Sequence, residues 1–79
     1  MNDAFTEMLR LEALAEAAYE AMYEAEPWNV KECYEDAMNY LGQAIAEAER
    51  VNSAASAKRL TMRREHIWNV YDRQFRGIG

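Results

Sequence analysis

The apolar residues between positions 29 and 51 have the spacing of one helical face, and this pattern constrains the fold most. Seven of them recur at alternating intervals of four and three, which places them on one stripe of a single helix. They are Val30, Tyr34, Ala37, Leu41, Ala44, Ala48 and Val51, with Cys33, Met38 and Ile45 on the flanks. An apolar stripe needs other elements to cover it, so we expect the segments on both sides to pack against this helix.

The segment before Pro27 carries a second apolar stripe. Its members are Met8, Leu11, Leu14, Ala15, Ala18, Tyr19 and Met22. Strong helix formers dominate this segment, namely alanine, leucine, methionine and glutamate. The residue before a proline is disfavoured in the helical conformation, so this helix must end near Glu26. The pattern predicts a first helix over 4–25, capped by Asp3.

The central helix begins at a sequence that resembles a capping box. Asn29 and Glu32 have the required spacing, and Trp28 precedes the cap, where we expect it to pack against Cys33 as a hydrophobic staple. We therefore predict a second helix over 30–51. A short turn joins it to the first helix, and the two form an antiparallel hairpin.

A third apolar stripe follows Val51 but is out of phase with the second. It consists of Ala57, Leu60, Arg64, Ile67, Tyr71, Phe75 and Ile78. In one unbroken helix the two stripes would lie about 120° apart. A break at Asn52–Ser53 restores a common core, because Asn tolerates the left-handed conformation and Ser is a good N-cap. A third helix over 54–76 follows, and Gly77 ends it.

Arg64 is the one charged residue on the third stripe, between Leu60 and Ile67. An unpaired buried charge is very costly. We therefore expect Arg64 to be buried and paired with an acidic side chain, either of the first two helices or of a second subunit.

Together these segments predict an all-α fold: one domain over 1–79, a small three-helix bundle made of a long antiparallel helical hairpin and a third helix. A chain this short buries only about 60% of its unfolded surface, so its core is thin. Trp68, Phe75 and Ile78 make the third stripe broader than two neighbouring helices can cover. A homodimer that completes the bundle is therefore a further expectation.

Charge divides the chain into two parts of opposite sign. Residues 1–49 carry twelve acidic and two basic side chains, a net charge of −10, whereas residues 50–79 carry seven basic and two acidic side chains, a net charge of +5. Such a split suggests electrostatic partners. The alternative, that the two parts neutralise each other within one bundle, stays open.

Each part concentrates its charge along one helix. The acidic ridge consists of Glu12, Glu16, Glu20 and Glu24, each four residues after the last. Like charges at this spacing repel one another, so the helix accepts a cost to hold them. The ridge flanks the apolar stripe and drifts away from it towards Glu24, which favours an external basic partner. The basic ridge on the third helix consists of Arg59, Arg63, His66 and Arg73, with Arg76 near it.

No motif in the sequence indicates a cofactor or a metal ion. Phosphate-cradling loops need clustered glycines, but Gly42 lies mid-helix and the other two glycines lie at the end of the chain. One cysteine and one histidine cannot supply a zinc site. Arg63 stands where a helical di-iron motif needs a glutamate three residues before His66.

The sequence also contains no motif for nucleophilic catalysis. Ser53 and Ser56 suit helix caps, and Cys33, although close to a helix N-terminus, is expected to be a small core residue. We therefore expect no enzyme. The single cysteine, together with the lack of a signal-peptide pattern and of an apolar run of about 18 residues, favours a cytoplasmic protein and no membrane span.

Two functional hypotheses follow. The first is a non-catalytic protein-binding module, a small acidic inhibitor, adaptor or regulator that occupies a basic surface of a partner protein. Phage-encoded inhibitors of host defence, including anti-CRISPR proteins, share this size and acidic charge, although no residue motif here carries a family resemblance. The second is nucleic-acid binding through the basic third helix. It is less favoured, because the isoelectric point of about 4.8 is far from that of a typical nucleic-acid binder.

Overall fold

The central helix, Val30–Arg50 (α2), packs against both of the other helices. The structure is a computed structural model that describes residues 3–77. The first helix spans Asp3–Glu24 (α1) and the third spans Ala54–Val70 (α3), and both lie along α2 in a body 43 Å long. The predicted all-α three-helix bundle is confirmed. No helix within residues 3–77 is both long and apolar enough to cross a membrane.

The core follows the predicted stripes. Small residues of α1 and α2 have no exposed surface and allow the two helix axes to approach closely; these are Ala15, Ala37, Ala44 and Ala48. Larger side chains fill the space between the helices, namely Met8, Leu11, Leu41, Leu60 and Ile67. Tyr34 of α2 and Tyr71, just beyond α3, are half-buried and stack with their ring centroids 4.0 Å apart. The stripes of all three helices therefore meet along α2.

The connection between α1 and α2 differs in detail from the prediction. A 3₁₀ turn, Pro27–Asn29, leads directly into α2, and the Asn29 side chain makes no capping hydrogen bond. Trp28 is 75% exposed, so the predicted staple against Cys33 is wrong. The proline fixes the chain at the start of this turn, and the turn points the following indole into solvent.

The break between α2 and α3 lies at the predicted position. Asn52 has a φ of 57°, in the left-handed region. Its amide donates to the Glu49 carbonyl at 3.0 Å, and the Ser53 amide donates to the Ala48 carbonyl at 2.9 Å. These two bonds form a Schellman motif, which satisfies carbonyl groups at the end of α2. Ser53 occupies the N-cap position of α3 without a side-chain capping bond.

The predicted third helix is α-helical only as far as Val70. Residues Tyr71–Phe75 continue it as a π-helical turn, in which the Arg76 amide donates to the Tyr71 carbonyl at 2.8 Å. A π turn changes the phase of the side chains that follow it. Phe75 accordingly meets Tyr23 of α1 edge-on, with ring centroids 5.1 Å apart. Ile78, the last residue of the predicted stripe, lies outside the described residues.

Arg64 is exposed, so the prediction that it is buried is wrong for the single chain. Its Nε donates to the Met38 carbonyl of α2 at 3.3 Å, and no acidic side chain of α1 or α2 within residues 3–77 pairs with it. The long side chain reaches from the edge of the stripe to solvent, as cationic side chains often do. The other expected partner, an acid of a second subunit, is considered below.

Candidate functional site

The acidic ridge divides into a paired half and an unpaired half. Arg59 donates to both carboxylate oxygens of Glu12, at 2.5 and 3.1 Å, and Arg63 donates to both oxygens of Glu16, at 2.7 Å each. Two members of the basic ridge therefore neutralise two members of the acidic ridge inside the bundle. Whether the ridge binds a partner stays a prediction, but its internal half is already occupied.

The pairing register explains why the division falls where it does. Each arginine follows its glutamate by 47 residues, and Tyr19 meets His66 at the same separation, with ring centroids 6.4 Å apart. A constant separation means that α1 and α3 run parallel in fixed register. Continuing it places Glu20 level with Ile67 and Glu24 near Tyr71, neither of which carries a positive charge.

Aromatic rings replace ion pairs in the second half of the α1–α3 contact. The Arg63 guanidinium lies over the Tyr19 ring, 5.1 Å from its centroid, and the hydroxyl groups of Tyr19 and Tyr23 are 3.3 Å apart. That hydroxyl contact is the main cause that raises the pKa of Tyr19. His66 is exposed and meets the Tyr19 ring edge-on.

Beyond this point α1, α2 and the connection between them border a shallow, open groove with acidic walls, here called the acidic groove. Its volume is about 530 Å³, and it is lined by Ala21, Glu24, Ala25, Asn29, Glu32, Cys33 and Asp36. Glu20 lies on the exposed surface one turn before Glu24. None of these four carboxylates forms an ion pair with another residue of the described chain. The alanines leave room for an incoming side chain between the charges.

The carboxylate of Glu24 lies at an electrostatically unfavourable place. Glu24 is the last residue of α1, and the last turn of α1 carries no basic residue. The C-terminal end of a helix dipole is negative, so an acid there costs roughly 0.3–1 kcal/mol. Glu32, by contrast, lies in the first turn of α2, where the dipole favours an acid. The sequence therefore keeps Glu24 at a cost to the fold.

Trp28 lies at this end of the bundle and does not act as the hydrophobic staple that its place in the sequence predicted. Its indole is next in sequence to Asn29 of the acidic groove and is 75% exposed. Tryptophan is enriched among the residues that anchor protein interfaces.

Cys33 has the environment of a structural thiol. It is half-buried, and burial together with the nearby Asp36 and Glu32 raises its pKa. A raised pKa lowers the thiolate fraction, which is the nucleophilic form. Within residues 3–77 no group of three or more His, Cys, Asp or Glu side chains is placed to hold a metal ion.

The rest of the basic ridge does not form one surface. Arg73 is exposed and has no ion pair within residues 3–77, whereas Arg76 pairs with Asp72 at 2.6 Å. Arg59 and Arg63 are turned towards α1. Lys58 and Arg64 are the cationic residues of α3 that form no ion pair within residues 3–77, apart from His66.

Comparison of the chain with protein-family models, with curated proteins and with solved structures finds no match.

Proposed function

We propose that this protein is a non-catalytic binding module that occupies a basic surface of a partner protein through its acidic groove. The observation that carries the proposal is the unpaired state of Glu24, Glu32 and Asp36 around one groove, on a chain whose earlier α1 glutamates, Glu7, Glu12 and Glu16, are paired with arginines. A basic side chain of a partner fits the space that Ala21 and Ala25 leave open.

The electrostatic cost of these three unpaired carboxylates supports an external partner. Three carboxylates around one groove repel one another, and Glu24 also opposes the dipole of its own helix. A lysine or arginine from a partner relieves both costs at once. Surface charges of this kind mainly raise the association rate and make it depend on salt concentration.

Trp28 supplies the apolar part of such an interface. Charge steers association, but binding energy concentrates in a few buried aromatic or arginine anchors. An indole beside a charged groove combines the two. A small inhibitor that covers a nucleic-acid channel, as phage-encoded anti-defence proteins do, is one form this module can take, since its carboxylates would stand in place of phosphates.

Nucleic-acid binding through α3 is the weaker proposal. Arg59 and Arg63 would have to leave Glu12 and Glu16 to contact phosphates, which costs the pairs they already make. The net charge of −5 also opposes approach to a polyanion. No observation on the described residues favours it over protein binding.

The test is affinity capture from a lysate of the source cells with three baits: the wild-type chain, Glu24→Lys and Glu49→Lys. Glu49 is exposed on the opposite end of α2 and matches the charge change of Glu24→Lys without touching the acidic groove. We expect a partner that the wild type and Glu49→Lys both recover and that Glu24→Lys loses.

The purified partner then allows a titration. The affinity for Glu24→Lys should be lower by on the order of tenfold at low ionic strength, and the difference should shrink as salt increases. Equal recovery by all three baits, or binding indifferent to salt, would contradict the proposal.

A further inference from the structure

A second groove, between α2 and α3, shares no residue with the acidic groove. Its volume is about 590 Å³, and it is lined by Met38, Ile45, Thr61, Arg64, Glu65, Trp68 and Asn69. Trp68 is 46% exposed along its wall, a large apolar side chain that the single chain leaves only half covered. We call this the α2–α3 groove.

The charges on the α3 wall of this groove are opposite in sign and lack charged partners. Arg64 donates a hydrogen bond to the neutral Met38 carbonyl, Glu65 is exposed, and neither forms an ion pair with a residue of the described chain. At about 100° per residue, Thr61 and Trp68 share one line along α3, while Arg64 and Glu65 flank that line on opposite sides. The wall thus carries a positive and a negative flank with an aromatic residue between them.

We propose that the α2–α3 groove is the contact surface between two copies of this chain, with their α3 helices side by side and parallel. In a parallel pair about a twofold axis, the Arg64 flank of one helix faces the Glu65 flank of the other. Arg64 of each copy then meets Glu65 of the second copy, and the two Trp68 indoles meet near the axis. An antiparallel pair would instead place flanks of like charge on the same side of the contact and would form neither ion pair. The charges of this surface therefore favour the parallel arrangement.

Self-complementarity is the argument for a second copy over another protein. A different partner would need its own cation and anion at matching positions, whereas a second copy supplies both by symmetry. The pairing also gives Arg64 the carboxylate that α1 and α2 do not provide. Both partners stay near the surface, so each pair contributes specificity more than affinity.

We expect weak association, because the contact is small and its ion pairs stay near the surface. With its π turn, α3 comprises 17 and 5 residues, a length of about 33 Å at 1.5 Å per residue. One such helix from each copy buries an area near the lower limit of stable interfaces, about 1,200 Å² in total. We therefore expect a dissociation constant in the micromolar range.

The decisive experiment uses two charge reversals, Arg64→Glu and Glu65→Arg. In sedimentation equilibrium from low micromolar to near-millimolar protein, the wild type should dimerise. Each reversal alone should weaken association by about tenfold or more, because both ion pairs become repulsive contacts. Mixing the two variants in equal amounts should restore a dimer, since each then supplies the charge that the other lacks. Circular dichroism checks that both variants remain helical.

Two further measurements test the location and direction of the contact. In a Trp28→Phe background, Trp68 is the only indole, and its emission should shift to shorter wavelength as the dimer forms. In a Cys33→Ser background, Thr61→Cys should form an intermolecular disulfide, because Thr61 lies near the twofold axis of a parallel pair. Gln43→Cys, exposed on the other side of α2, is the control.

Three outcomes would overturn the proposal. They are a wild-type chain that stays monomeric at every concentration, single reversals that dimerise as well as the wild type, and a Thr61→Cys link that forms no faster than the Gln43→Cys link.

Discussion

Glu16 and Arg63, 47 residues apart in the chain, form a two-point ion pair in which Nε and Nη2 each donate to one carboxylate oxygen at 2.7 Å. The two side chains are 33% and 34% exposed. Both helices that carry them pack mainly against α2, so this pair, with the Glu12–Arg59 pair one turn away, ties α3 to α1 directly. The ion pairs therefore add a direct link between α1 and α3 in the register in which α3 packs on the hairpin.

A double-mutant cycle should detect this coupling. Glu16→Gln and Arg63→Gln should each destabilise the chain, and the two changes together should cost less than their sum. We expect a coupling free energy of about 0.5–1 kcal/mol, at the upper end for exposed pairs because the geometry is two-point. Urea unfolding measures it, and the cycle Glu49→Gln with Arg63→Gln, which joins residues that do not touch, should give no coupling.

The same pair predicts how stability depends on acid. The hydrogen bonds from Arg63 hold the pKa of Glu16 below its usual value of 4.5. The folded chain therefore binds that proton less tightly than the unfolded chain. The stabilisation is complete above pH 4.5 and is lost as the pH falls through the lowered pKa. Glu16→Gln should make the free energy of unfolding depend less on pH below 4.5 and leave its dependence above that value unchanged.

Periodic burial made the architecture predictable from sequence. Leu41, Ala44 and Ala48 are fully buried because a stripe at intervals of three and four can face only one way on a helix. The turn at Asn52 was equally predictable from sequence. Two stripes that are out of phase require a break between them, and few residues other than glycine adopt the left-handed conformation easily. These features depend on neighbouring residues alone.

Features that depend on the relative orientation of the packed helices were not predictable from the sequence. The apolar stripe shows which face of the third helix carries Arg64. It does not show how far that face is rotated away from α1 and α2, so Arg64, at the edge of the stripe, was assigned to the core. Glu12 and Glu16 were expected to meet an external basic partner, with neutralisation inside the bundle as the open alternative, and the parallel register of α3 brings arginines to them. The π turn after Val70 accompanies contacts of Tyr71 and Phe75 with rings on the other two helices, Tyr34 and Tyr23, and no local pattern specifies it.

Asn52 should tolerate glycine and reject alanine. At a φ of 57°, a side chain with a Cβ atom costs roughly 1–2 kcal/mol, and asparagine avoids part of that cost through local hydrogen bonding. We expect Asn52→Ala to destabilise the chain by about 1 kcal/mol and Asn52→Gly to leave stability unchanged or slightly higher. Urea unfolding at constant slope checks both. An Asn52→Ala variant as stable as Asn52→Gly would mean that α2 and α3 are not joined through a left-handed residue.

Glu24→Lys should have opposite effects on folding and on binding. We expect it to stabilise the folded chain and to weaken binding of the partner. A lysine at the end of α1 complements the negative end of the helix dipole and removes the repulsion from Glu20 four residues earlier. Lysine and glutamate are nearly equal as helix formers, so no loss of propensity offsets this gain. The folded chain should therefore become more stable by about 0.5–1 kcal/mol at low ionic strength.

The matched variant is Glu49→Lys, in the last turn of α2, where Arg50 already provides a positive charge. Here the gain should be smaller, and partner binding should be unaffected. Thermal unfolding of both variants at low and high salt gives the comparison, because an electrostatic gain must shrink as salt screens it. A Glu24→Lys chain that is less stable than the wild type would show that Glu24 holds the fold together. A chain that is more stable and still binds the partner fully would leave Glu24 as an unfavourable charge without a function.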